Sequence, residues 1–212
     1  MGPIMVPLTL MDLQSLVESS AYFLALINPV SKIFLLSTID PPYSRSQLWN
    51  VSIRSTLVAF AILIVLIGAG SFLFHAVFRV EIYSLSVAGG GVLFTVGLKA
   101  VRKGRFYEES ELRGVPSITV VPLAAPLIAG PGTIAAAISF STLYGSAETL
   151  LCVSLALLAN LVLMLTSRRV GRFLERFNAT GPFIRITGLI VMAVAVQMIF
   201  NGVATWAKTS FN

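Results

Sequence analysis

Asn28-Pro29-Val30-Ser31 interrupts one long apolar segment of this 212-residue chain, and Gly130-Pro131-Gly132-Thr133 interrupts another. Pro29 removes a backbone donor and crowds the carbonyl one turn earlier. It also pushes Asn28 out of the α region, so Asn28 marks the break itself. The helix resumes near Val30 and places Ser31 in the first turn of its second half. At the second break the glycines permit unusual dihedrals and close ligand approach. A resuming helix begins with unsatisfied N–H groups and a partial positive charge, an arrangement that binds a carboxylate well. Asn28, Ser31 and Thr133 add polar groups able to meet a carboxylate or an ammonium. The chemistry expected of such residues is recognition of a small zwitterion.

Other polar residues lie inside apolar segments, each with two roles open to it. Lys32, one turn past the first break, either neutralises a substrate carboxylate or snorkels towards the interface. Glu18 is a candidate for proton or cation coupling, or an interfacial carboxylate in water. Asn160 and Gln197 either line a pathway or hydrogen-bond a neighbouring helix. His75 has no second ligand at metal spacing, so no metal site is expected and the residue reads as interfacial. Arg54 reads as a topology anchor. Glu108, Glu109 and Glu111 form a solvated charge run. Gly89-Gly90-Gly91, Gly97 and Gly68-x-Gly70 are small-residue faces for close helix contact. None opens a strand–turn–helix nucleotide loop.

The elements that must position these residues are membrane helices. The chain is 56% hydrophobic and 11% charged, with a mean hydropathy of +0.89, whereas soluble domains carry roughly a quarter charged residues. A net charge of +6 could invite nucleic acid, but the basic residues sit at segment ends, as membrane topology requires. Nucleic-acid binding is therefore not expected. Cys152 is the one cysteine, which rules out a disulfide framework or a redox pair within the chain. The N-terminus lacks a basic n-region, and no removable signal peptide is expected.

Six segments of about 20 residues or more, the length a span needs, can be placed: 12–39, 51–74, 83–101, 117–142, 147–167 and 184–207. Asp40-Pro41-Pro42 stops the first. Arg45, Arg54, Lys99, Arg102, Lys103, Arg105, Arg113, Arg168, Arg169, Arg172, Arg176 and Arg185 cluster around the loops after segments 1, 3 and 5. Only Arg79 and Lys208 lie on the other side, so the basic loops face the cytoplasm and both termini face outward.

The two halves resemble each other. Ala25–Ser31 aligns with Leu127–Thr133, and Ala88-Gly89-Gly90-Gly91 aligns with Ile186-Thr187-Gly188 in the same order. Three spans per half make the halves insert oppositely. The expected fold is one all-α membrane domain, residues 1–212, built as a 3+3 inverted repeat: 12–101, a cytoplasmic linker 102–116, and 117–207. Segments 1 and 4 are broken near the midplane, where such transporters bind substrate.

The stretch Ile27-Asn28-Pro29-Val30, with Pro122-Leu123-Ala124-Ala125-Pro126-Leu127-Ile128-Ala129-Gly130-Pro131-Gly132, resembles the MarC/SnatA family of six-helix inner-membrane proteins. The likeness extends to Arg185-Ile186-x-Gly188 and Ala195-Val196-Gln197, so it covers nearly the whole chain. The resemblance implies transport of small neutral amino acids such as glycine and alanine, coupled to a cation. It carries over to Asn28, Pro29, Gly130, Pro131, Gly132 and Thr133. This chain departs from the pattern at Ser31, where the family commonly has glycine, and carries Lys32 next.

The function expected is secondary transport of small neutral amino acids by alternating access, coupled to H+ or Na+ and needing no other cofactor. Expected partners are the zwitterionic substrate and the bilayer; the sequence does not address oligomeric state. An exporter of amino acids or related metabolites is the alternative within the same class. An enzyme is not expected, because no cysteine pair, Ser/His or paired-Asp constellation lies in the spans. Nor does a ring of charge mark a channel.

Overall fold

A computed structural model of the chain describes residues 12–37, 43–77, 79–106, 124, 128–177 and 179–211. Those residues are helical apart from short connections. The helices are α1 (Leu13–Ile27), α2 (Pro29–Ser37), α3 (Arg45–Phe72), α4 (Ile82–Lys103), α5 (Pro131–Tyr144), α6 (Ser146–Leu165), α7 (Ser167–Arg176) and α8 (Thr180–Ser210). A π-helical turn at Leu73–Val77 continues α3.

Five stretches are long and apolar enough to cross a membrane: Leu13–Ser37, Arg45–Gly70, Ile82–Lys103, Ser146–Leu165 and Thr180–Ser210. Large apolar side chains such as Leu57, Val65, Leu158, Val162, Leu189 and Ile190 stand exposed on them, as lipid contact requires. The segment expected at 117–142 is described mainly as α5, and its beginning lies outside the described residues. So do most of the expected linker and the Glu108, Glu109 and Glu111 run, along with the side chain of His75.

The observed ends differ from the expected ones for local reasons. The second span starts at Arg45 instead of Val51 because Ser44 and Gln47 cap it reciprocally. Ser44 N–H donates to Gln47 Oε1 at 2.8 Å, and Gln47 N–H to Ser44 Oγ at 3.2 Å, a capping box written Ser-x-x-Gln. α4 runs past the expected start of the linker to Lys103. It closes on Gly104 in the left-handed region at φ 64°, with Arg102 and Lys103 placed on the negative end of its dipole. α7 was not expected. Its charge density reads as loop, yet the helical period turns Gly171 and Leu174 inward and leaves Arg169, Arg172 and Arg176 outside.

Helix association in a bilayer depends on close van der Waals packing, which small residues permit. The main core follows that rule. Ala59, Ala135, Ala136, Ala137 and Ala156 sit among Phe23, Ile27, Leu63 and Leu157, with Cys152 buried beside them. α1 and α3 pack on α6, and α5 packs on α3, α4 and α6. At the far end of α1 and α5, Tyr22 stacks on Phe140 at 5.6 Å and Phe23 meets it edge-on at 5.1 Å.

α4 and α8 form the most extensive helix pair. A Cβ on Gly90 would lie 2.8 Å from the Ala195 carbonyl, and one on Gly188 would lie 2.9 Å from the Gly97 carbonyl. Gly68 and Gly91, expected on such faces, instead look onto open space. α2 packs on α7 and α6 but touches α8 only slightly. A second small cluster of Phe34, Ala100, Phe106, Leu174 and Ile184 lies beside it.

Candidate functional site

The first break is sharp. α1 ends on Asn28, whose φ of 55° and ψ of 71° lie in the left-handed region, where asparagine is better tolerated than most residues. Its N–H still closes the last turn of α1 on the Leu24 carbonyl at 2.9 Å. The next residue, Pro29, opens α2 at the first helical position, where its missing donor and fixed φ cost nothing. Asn28 then serves as the N-cap of α2. Its Oδ1 accepts the Ser31 N–H at 3.3 Å, the usual bond from an N-cap side chain to the third helical residue. The Ser31 hydroxyl returns to the Asn28 carbonyl at 2.7 Å.

Breaking a buried helix also frees carbonyls at the end of its first half. Lys32 meets that need. Its side chain is 1% exposed, and Nζ donates to the Ile27 carbonyl and, at 3.3 Å, to the Asn28 carbonyl. The snorkelling role expected as one option for Lys32 is therefore not the one found. The ammonium folds back onto the break, at the negative end of the α1 dipole.

The second break uses glycine where the first uses asparagine. Gly130 is the N-cap of α5, extended at φ −75° and ψ 167°, and Pro131 again takes the first helical position. With no side chain at Gly130, the N-cap residue itself makes no side-chain bond to the first turn. Among the described residues, the Gly132 and Thr133 N–H groups and the Thr133 hydroxyl have no protein hydrogen-bond partner.

Both breaks open on one cavity of about 50 Å³. Asn28, Ser31 and Lys32 line it from one side and Gly130, Pro131, Gly132 and Thr133 from the other. Leu26 and Ile27 complete the first wall. Val92, Leu93 and Val96 of α4 form a third, apolar wall. Asn28, Ser31, Lys32 and Thr133 are all buried. The site thus offers two helix N-termini, a carboxamide, two hydroxyls and one ammonium in a space for a few non-hydrogen atoms. Each water-sized occupant takes roughly 10–15 Å³ by this measure.

Sequence reading did not find the α4 wall. The signal was present in Gly89, whose Cβ would lie 2.9 Å from Ala135 and 3.1 Å from the Pro131 carbonyl. A small residue there brings α5 against α4, and Leu93 and Val96 follow Gly89 on the same helical face.

Other candidates are placed elsewhere. Pro29 and Val30 flank the cavity without lining it, and Val30 packs against the second cluster. Glu18 is exposed on α1, bonded to Gln14 at 2.8 Å, about 15 Å before Asn28 along the helix. Asn160 is fully buried in α6, with Nδ2 on Met164 Sδ at 3.2 Å and Oδ1 without a partner among the described residues. Gln197 is exposed on α8 and donates to Asn201 Oδ1 at 2.9 Å. None of these three reaches the cavity lining.

The sequence profile of the MarC family integral membrane proteins matches residues 13–207. The chain belongs to the MarC family. Among similar MarC proteins, the UPF0056 membrane protein PH0214 of Pyrococcus horikoshii is 31% identical over 190 residues, covering 90% of this chain and 94% of the relative. A UPF0056 membrane protein of Aquifex aeolicus is 28% identical, with 91% and 94% covered. The UPF0056 inner membrane protein YhgN of Escherichia coli is 23% identical, with 92% and 100% covered. No solved structure matches the chain. The MarC profile spans both breaks and all five apolar stretches except the last three residues of α8. The chain is an integral membrane protein with several spans.

Proposed function

We propose that this MarC family protein is a secondary transporter for small neutral amino acids of the glycine and alanine type. It sits in the inner membrane with both termini outside the cytoplasm and works by alternating access driven by a cation gradient. One observation carries the reading: the N-termini of α2 and α5, each beginning at a proline-marked break, meet at one small, partly open cavity. Half-helix N-termini at a repeat interface receive substrate carboxylates in carriers of this design. Here the uncapped N–H groups of Gly132 and Thr133, with the Asn28 carboxamide N–H and Lys32 Nζ, would take the carboxylate, and the Thr133 hydroxyl oxygen the ammonium. A cavity of about 50 Å³ suits a small ligand such as glycine or alanine.

The reading includes a single domain of six spans in two inverted repeats, 12–101 and 117–207, joined through 102–116. The α4–α8 pair supports it. The shift that carries Gly90 onto Gly188 also carries Gly97 onto Ala195, so the Gly90–Ala195 and Gly188–Gly97 approaches are images of each other. A pseudo-two-fold axis crossing this pair would produce that reciprocity.

Unequal packing supports alternation between the repeats. α5 is packed along α4, while its repeat counterpart α2 barely touches α8. With the arginine-rich loops inside, this is a state whose outer seam is closed. The reading is of a carrier, since the cavity offers groups that bind a small zwitterion. Uptake of labelled glycine and alanine by the purified protein in proteoliposomes, under imposed H+ and Na+ gradients, tests it. Absence of uptake under every gradient, with no thermal stabilisation by either amino acid, overturns it.

A further inference from the structure

A cation already sits where a broken membrane helix invites one, and it is part of the chain. In carriers built from discontinuous helices, the carbonyls at the C-terminal end of a half-helix coordinate the coupling Na+. The corresponding carbonyls at the end of α1 are those of Ile27 and Asn28, and both accept Lys32 Nζ. The lysine side chain is 1% exposed, and among the described residues no carboxylate pairs with it. Among the described residues its charge faces the dipole end and these two carbonyls, of which the Asn28 oxygen also accepts Ser31; carbonyl oxygens are the kind of group a bound Na+ also takes.

We propose that the C-terminus of α1 forms a monovalent-cation position which the Lys32 ammonium fills, so that the wild-type protein neither binds nor needs Na+ there. The inference rests on the transporter reading for its bearing on coupling, since it removes Na+ as the ion held at this break. An ammonium carries three donors, and two are used on Ile27 and Asn28. The third remains for the cavity that Lys32 lines, where it meets the carboxylate end of a bound zwitterion. Removing the side chain should leave a vacant cation position of carbonyl oxygens. Small hard or ammonium-type cations should then occupy it.

The test is thermal unfolding of the purified protein in detergent, in choline chloride, sodium chloride and methylammonium chloride at equal ionic strength. The wild-type midpoint should be the same in all three salts. Lys32→Ala should unfold lower than wild type in choline and recover by about 2–4 °C in sodium or methylammonium, as occupancy of a vacated site predicts. Sodium-dependent stabilisation of the wild type overturns the proposal, as does a Lys32→Ala midpoint that is identical in all three salts. If Lys32→Ala does not fold, the wild-type arm and Lys32→Met, which keeps the bulk without the charge, decide by the same criteria. The readout needs no amino acid, so it separates this inference from the transport reading. Glycine uptake by the wild type should in addition be equal in sodium and choline, and a tenfold loss in choline would contradict the proposal.

Discussion

Asn28 and Ser31 hold each other across the first break: Asn28 Oδ1 accepts the Ser31 N–H at 3.3 Å, and the Ser31 hydroxyl donates to the Asn28 carbonyl at 2.7 Å. Both residues are buried and both line the cavity. The bonds that end one helix and begin the next are therefore the same bonds that shape the cavity wall. A substitution at either position acts on stability and on ligand recognition together, and the two effects separate only by choice of replacement.

At Asn28 the choice is between alanine and glycine. Either replacement removes the cap, and alanine must also hold the left-handed conformation at φ 55°, which costs about 1–2 kcal/mol for a residue with a Cβ. Glycine at an N-cap loses only a few tenths of a kcal/mol, roughly. Apparent unfolding temperatures in detergent should rank wild type first, Asn28→Gly close behind and Asn28→Ala clearly lowest. Both variants should lose uptake, since both lack the carboxamide. An Asn28→Ala protein as stable as Asn28→Gly would contradict the assigned backbone.

Ser31→Gly tests how the wall sets substrate size. The change deletes a buried hydroxyl that lines the cavity and so enlarges it. The ratio of alanine to glycine uptake should rise by about tenfold, the lower end of the discrimination that one methylene carries. An unchanged ratio at normal expression would mean that Ser31 does not face the substrate.

Gly90 and Gly91 are neighbours with opposite predictions. A Cβ at Gly90 meets Ile199 Cγ1 at 2.7 Å and the Ala195 carbonyl at 2.8 Å, whereas one at Gly91 meets nothing within 4 Å. Gly90→Ala should destabilise by about 1–3 kcal/mol through overpacking. Gly91→Ala should be neutral or stabilising by up to about 1 kcal/mol, the helix-propensity gain of alanine over glycine. Unfolding midpoints of the two variants check the α4–α8 seam directly, and equal shifts would argue against the observed helix rotation.

The breaks were legible because proline and glycine act on the backbone locally, whatever surrounds them. Pro29 alone was enough to mark Asn28, and Pro131 with Gly130 and Gly132 marked the start of α5. That the two breaks share a cavity depended on packing, and the α4 wall escaped notice because Val92, Leu93 and Val96 look like any lipid-facing run. Lys32 could not be placed from sequence, since a four-carbon stem reaches either the interface or the freed carbonyls one turn back. The start of α3 was missed because Ser44 and Gln47 are polar, though their spacing spells a capping box. α7 was missed because arginine density hid a helical period. Glu18 and Gln197 are polar residues in apolar segments that stand exposed, away from the cavity lining.

Gly132 lines the cavity. A Cβ there stands 3.4 Å from Leu93 Cδ2, an ordinary contact, so Gly132→Ala should fold normally, while the leucine side chain of Gly132→Leu would fill the space between the two half-helices. The central claim is tested by uptake of labelled glycine into proteoliposomes holding equal amounts of wild type and Gly132→Leu, with folding checked by gel filtration and unfolding temperature. The account predicts uptake by the wild type and background counts from a folded Gly132→Leu protein. Equal uptake by the two, or none by a folded wild type under any imposed gradient, would contradict it.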